Sequence, residues 1–136
     1  EIFRYVDNGD PSKFKQFAKG LEQLMDEGVA QMFIKEESQR KIIGVVGALQ
    51  FDVIQYRWEH EHGVICRYEP LTLDKALCVH ARHPAKLGEF KQRRRKDLAS
   101  DMEGKLVFLA DSAWTLRLVQ ENFPELQFNT SSEFEE

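Results

Sequence analysis

The chain has little cysteine, no long apolar run and no surplus of positive charge. Two cysteines in 136 residues, Cys66 and Cys78, cannot staple a small fold, so a disulfide framework is excluded and a reducing compartment is expected. No stretch approaches the roughly 18 apolar residues of a membrane-spanning helix, and none shows the basic-then-apolar order of a secretory signal. A formal net charge of -4 argues against a generally basic nucleic-acid binder. Nucleotide hydrolysis needs a glycine loop that wraps phosphate, and no Gly-x-x-x-x-Gly-Lys-Ser/Thr occurs. An Asn-Lys-x-Asp guanine reader is missing too. Asp101-Met102-Glu103-Gly104 fits the bare Asp-x-x-Gly pattern, which is too loose to count, and reads as a polar turn before a strand.

What is present suits a soluble α+β protein, with 42% apolar and 31% charged residues. Ile2 to Val6 reads as a strand that is already under way near Glu1, so a longer polypeptide is expected to precede it. Asp10 or Ser12 caps a helix in which Phe14, Phe17, Ala18, Leu21, Leu24 and Met25 share one face, and Gly28 ends it. Val29 to Lys35 reads as a strand. Ile42 to Gly47 is a nearly unbroken apolar run, as in a strand covered on both faces or by helices. A helix follows, with Leu49, Phe51, Val53, Ile54, Tyr56 and Trp58 giving a broad apolar face. Leu49, Phe51, Val53, Ile54 and Trp58 are expected in the core. Val64 to Tyr68 is the next strand. This order, βαββαβ over residues 1–70, is the split βαβ arrangement of ferredoxin-like folds.

Residues 71–130 read as a second small α/β unit in the order βαβαβ. Its elements are a strand at Ala76 to Ala81 and a helix from Pro84 bearing Leu87, Phe90 and Leu98. Then come a buried strand at Leu106 to Ala110, a helix after Asp111-Ser112 bearing Trp114, Leu118 and Val119, and a short strand at Leu126 to Phe128. Residues 131–136 are polar and acidic and read as a flexible tail. No internal repeat is evident.

Few residues suggest chemistry. Gly44-Val45-Val46-Gly47 has the outline of a nucleotide-clamping loop, but it lies in an apolar run and reads as strand. Gly47 suits a tight strand-to-helix junction or close packing. Cys66, Cys78, His80 and His83 lack the paired spacing of a zinc site, so no metal is expected. His60 and His62 suit the end of a helix, where imidazolium meets the negative pole. No serine lies in a nucleophile context, and no catalytic residue is assigned. The sharpest feature is Lys91-Gln92-Arg93-Arg94-Arg95-Lys96, with Lys91, Arg93, Arg94, Arg95 and Lys96 as candidate RNA contacts. A solvated helix face explains the run equally well, since consecutive residues sweep round a helix axis and no aromatic is interleaved.

The segment Val45 to Pro70, with Gly47-Ala48-Leu49-Gln50-Phe51-Asp52 at its centre, resembles the third domain of bacterial peptide chain release factor 3. It is similar, more distantly, to the third domain of elongation factor G. There a Gly-Glu-Leu-His-Leu-Asp pattern would occupy residues 47–52, and Ala48, Gln50 and Phe51 are the departures typical of the release-factor branch. Lys19-Gly20-Leu21 with Leu24, Glu27 and Gly28 resembles the same family's first helix, and Leu116 to Phe128 its C-terminal end. Trp58 stands where the family usually carries a smaller aliphatic residue. The resemblance implies a non-catalytic, ribosome-binding C-terminal part of a cytoplasmic translational GTPase that recycles class I release factors after peptide release. It implies GTP and GDP only in a G domain absent from this chain. The implied partners are ribosomal RNA and protein and the factor's own GTPase and barrel domains, with no membrane and a monomeric state. The alternative is a ligand-sensing or interaction module with a ferredoxin-like fold outside translation.

Overall fold

The computed structural model describes residues 1–130, and the expected tail at 131–136 lies outside them. Contacts group residues 1–32 with 40–71 as one unit, and residues 33–39 with 72–130 as another. The first unit holds β1 (Ile2–Asn8), α1 (Phe14–Asp26), the start of β2 (Gln31–Lys35), β3 (Lys41–Val45), α2 (Leu49–His62) and β4 (Cys66–Pro70). Its strands follow the order β4-β1-β3-β2, and β1 pairs antiparallel with both β3 and β4. That is the expected split βαβ topology, within an α+β fold. Two strands are shorter than expected. Val29 and Ala30 precede β2, and Val64 and Ile65 precede β4; the N–H groups of Val29 and Val64 donate back to carbonyls of the preceding helices, at Leu24 and Trp58.

Helix ends follow from local chemistry. Asp10 accepts from the Ser12 N–H at 3.1 Å in the 3-10 turn Pro11–Lys13 that leads into α1. At the end of α2, Gly63 takes the left-handed conformation (φ 66°), where a side chain would be strained. The Gly63 N–H donates to the Glu59 carbonyl and the Val64 N–H to the Trp58 carbonyl, satisfying carbonyls the helix leaves open. Gln50 reaches back from the first turn of α2, and its Oε1 accepts from the N–H groups of Val46 and Gly47 at 2.9 and 3.0 Å. Gly47 therefore belongs to the junction. Close packing does not explain it, since a Cβ there would meet nothing within 4 Å.

The first core forms where α1 meets α2. Phe17, Leu21 and Leu24 are buried, whereas Phe14 and Ala18, expected on the same face, are exposed. The Trp58 ring lies parallel to that of Phe17, with centroids 4.6 Å apart, and its indole N–H donates to the Phe17 carbonyl at 3.1 Å. A Cβ on Gly20 would come within 2.5 Å of the Trp58 ring. A mid-helix glycine costs roughly 0.5–1 kcal/mol against alanine, and here it makes room for the indole. Ile42 and Ile43 point to opposite faces of β3 and both are fully buried, as the unbroken apolar run implied.

Half of the expected apolar face of α2 is not core. Phe51, Ile54 and Trp58 are fully buried, but Leu49 and Val53 are 77% and 51% exposed, and Tyr56 is 62% exposed. At about 100° per residue, 51, 54 and 58 share one side of the helix, while 49, 53 and 56 share the other.

The second unit contains β5 (Lys75–Ala81), α3 (Pro84–Arg93), β6 (Leu98–Ser100), β7 (Leu106–Ala110), α4 (Ala113–Asn122) and β8 (Leu126–Asn129). It has one strand more than the expected βαβαβ. Leu98 sits in β6 rather than on α3, because the chain leaves the helix at Arg94 and turns through a 3-10 segment, Arg95–Asp97. With β6 counted, the order is βαββαβ again. The ladder β8-β5-β7-β6, antiparallel throughout, matches the strand order of the first unit. No repeat was legible in the sequence, yet the topology is repeated. Within this unit Ile34 and Lys35 pair with Ser100 and Ala99.

Its core is built on phenylalanine. Phe90 from α3 meets Phe108, Phe123 and Phe128 edge-on at centroid distances of 5.4 to 5.6 Å, with Leu77, Leu98 and Val119 filled in around them. Ser112 caps α4 by accepting from the Thr115 N–H at 3.1 Å. Trp114, expected on the apolar face of that helix, is exposed instead. Asp101 to Gly104 forms the expected polar turn, with the Asp101 carboxylate accepting from the N–H groups of Glu103 and Lys105.

Candidate functional site

The basic run lies where α3 ends and the chain turns into β6. Lys91 and Arg93 occupy the last helical turn, Arg94 caps it, and Arg95 and Lys96 begin the 3-10 segment. The chain folds this way because Phe90 and Leu98 are both pulled into the core, which leaves the residues between them to make a polar corner. Cations there also face the carbonyl end of the helix, a favourable placement in its own right.

The five cations separate into two groups. Arg93 contacts Glu89 at 3.3 Å and lies over the Phe123 ring at 5.6 Å. Arg94, the least exposed of the run, contacts Asp97 at 3.7 Å. Burial raises the Asp97 carboxyl above its ordinary value, against the pull of the Arg94 guanidinium. Lys91, Arg95 and Lys96 are exposed and make no ion pair among the described residues. Lys91, Gln92 and Arg95 line a groove of about 450 Å³ together with Glu36 and Leu98. A second groove of about 410 Å³ is lined by Gln92 and residues 93–97, with Glu37 at its edge. The corner thus holds three cations without an ion pair among the described residues, which can donate to phosphate oxygens, and two acids at its rim, Glu36 and Glu37, that moderate its field.

Other residues singled out in the sequence have structural surroundings. Cys66 lies on β4, Cys78 and His80 lie on β5, and His83 precedes α3. Among the described residues no three of His, Cys, Asp or Glu come together as a metal would need. Burial pushes the Cys66 thiol up to about 11 and raises that of Cys78 as well, so both remain protonated at neutral pH. Gly44 lies within β3 opposite Phe3, where a Cβ would come within 2.8 Å of the Phe3 ring, so it cannot serve in an exposed clamp loop. The His60 ring stacks on Tyr56 at 3.9 Å, and His62 Nε2 lies 3.0 Å from Gln23 Oε1. No helix among the described residues is long and apolar enough to cross a membrane.

Sequence reasoning located the cationic run but not which of its members are unpaired, since that depends on the turn at Arg94. It also missed the outward apolar face of α2. The signal was there in the spacing of Leu49, Val53 and Tyr56, and the core reading absorbed it. The comparison with protein families gives the identity of the fold a firm base. The model of the class II release factor RF3 C-terminal domain matches residues 1–120.

Proposed function

The chain belongs to the family of the class II release factor RF3 C-terminal domain, and from that premise we propose that it is a ribosome-binding part of a translational GTPase. In this reading the parent factor recycles class I release factors after peptide release. GTP and GDP act in its G domain, and this chain supplies no catalytic residue. It works in the cytoplasm as part of a monomeric factor, beside that factor's GTPase and barrel domains. The match over residues 1–120 carries the reading, and it places the chain in translation termination.

The corner after α3 supports a phosphate-contacting role. Lys91, Arg95 and Lys96 have no ion-pair partner among the described residues, at one turn of an otherwise acidic chain. The test is ribosome pelleting of the intact factor with Arg95→Glu and Lys96→Glu over a range of salt concentrations. RNA contact predicts weaker binding, with the largest fold-loss at low salt. Removal of two phosphate contacts should also make the salt dependence shallower by roughly two. A solvated helix end predicts almost no change, because exposed ion pairs contribute only ~0–1 kcal/mol. Titration of this chain with GTP or GDP in a calorimeter should give no saturable heat, and micromolar binding would overturn the division of labour.

A further inference from the structure

α2 turns a second apolar face directly away from its core. Leu49, Val53 and Tyr56 fall at i, i+4 and i+7, and His60 continues the line while stacked on Tyr56. The His60 Nδ1 lies 2.9 Å from the Tyr56 carbonyl, which fixes the ring over the phenol. Val46, 83% exposed, stands just before the helix on the junction held by Gln50. The line runs about 16 Å along the helix at 1.5 Å per residue. Burying this face in the first core is impossible, because Phe51, Ile54 and Trp58 already occupy the opposite side. Scattered exposed apolar residues need no explanation, but a continuous stripe on one helix does.

The rim of the stripe is acidic. Asp52 and Glu59 flank one edge and make no ion pair among the described residues. On the other edge Arg57 is already engaged by Glu61 at 2.7 Å and Glu27 at 2.8 Å. Two carboxylates without an ion pair among the described residues therefore border the stripe, and the guanidinium on its other edge is already neutralised by Glu61 and Glu27. Such a border repels phosphate, so nucleic acid is disfavoured here even though Tyr56 offers a ring. It attracts lysine and arginine.

We propose that the outward face of α2 docks a cationic protein surface on the ribosome, one that inserts apolar side chains along Leu49, Val53 and Tyr56 and sets lysine or arginine against Asp52 and Glu59. The inference rests on the ribosome-binding reading and adds a protein contact to it, distinct in chemistry from the cationic corner after α3. Apolar anchors supply the affinity and the acidic rim selects the partner.

The test uses the intact factor and purified ribosomes. Leu49→Gln, Val53→Gln and Tyr56→Gln together keep helix-compatible side chains and leave the core untouched. This variant should keep its thermal midpoint and bind ribosomes about tenfold or more weakly, as expected for the loss of an apolar anchor cluster. Asp52→Asn with Glu59→Gln should weaken binding most at low salt. A photo-crosslinking residue at position 53 should label a ribosomal protein at a lysine- or arginine-rich peptide. Labelling of RNA, labelling of the factor's own other domains, absence of labelling, or unchanged affinity of the triple variant would each overturn the proposal while leaving ribosome binding intact. Failure of the unaltered factor to pellet with ribosomes would instead overturn the ribosome reading and this inference with it.

Discussion

In the first unit, one indole lies flat on Phe17 and occupies the space left by Gly20, so α1 and α2 are keyed together at a single point. In the second, Phe90, Phe108, Phe123 and Phe128 from different parts of the chain meet edge-on, and no glycine is needed to admit them. The strand order is the same in both, so topology does not dictate how a core is filled. The outward surfaces differ as well. The first unit presents an apolar stripe with an acidic rim on α2, and the second presents exposed cations where α3 ends. One scaffold, used twice, offers two opposite chemistries. A helix in this fold commits only one side to the core, and its free side or its end can be written for a partner.

The comparison can be broken most sharply at the two keystones. Trp58→Ala should destabilise the first unit by ~3–5 kcal/mol, the usual range for deleting a large buried aromatic. It also leaves the Phe17 carbonyl without its indole donor. Phe90→Ala should destabilise the second unit by a similar amount, since three ring contacts are lost at once. Thermal unfolding, followed together with amide hydrogen exchange, checks both. If each unit holds its own core, exchange should accelerate first in the unit that carries the change. Uniform acceleration in both would show that the two cores unfold as one.

A subtler change tests whether the first core is truly keyed. Gly20→Ala adds a methyl that would sit 2.5 Å from the Trp58 ring. Overpacking of this kind costs ~1–3 kcal/mol, more than the ~0.5–1 kcal/mol that alanine returns to the helix. The single substitution should therefore lower the melting temperature. In a Trp58→Leu background the clash with the indole disappears and only the 2.9 Å approach to the His62 ring remains, so the same Gly20→Ala should cost less than it does beside Trp58. A double-mutant cycle by denaturant titration should give a coupling of ~0.5–3 kcal/mol, and additive effects would show that the two residues do not meet.

These particulars also show what could be read in advance. The strand order of the first unit and the capping at Asp10 and Ser112 follow from local pattern, because turn and cap chemistry is short-range. So does the polar turn at Asp101. The core side of α2 does not. Six apolar residues fall on two opposite sides of that helix, and only the long-range meeting of Trp58 with Gly20 selects the side that is buried. β6 was hidden for a related reason. Leu98 lies eight residues after Phe90, a spacing that also suits a helix, and the break at Arg94 is marked by neither glycine nor proline. The site shared this fate, since a run of five cations is plain in the sequence but its pairing depends on that break.

The smallest expected effect concerns the buried thiol of the first unit. Burial lifts Cys66 from its ordinary value of 9.0 to about 11, although the Tyr68 hydroxyl partly offsets it. The folded state thus holds this proton more tightly than the unfolded chain does. Its contribution to stability is fully present below about pH 9 and declines as pH rises toward 11, where the unfolded thiol has already ionised. By about pH 10 the loss should be on the order of 1 kcal/mol. Tyr68 shifts in the same direction, through burial first, and should extend the decline at still higher pH. Cys78 is raised as well, so both units should weaken in alkali. Denaturant titrations from neutral pH to about pH 10 on the parent chain and on Cys66→Ala would separate the terms. The substitution lowers stability at every pH by removing packed sulfur, so the slope decides, and a Cys66→Ala curve that falls as steeply as the parent would show that the thiol does not carry the alkaline loss.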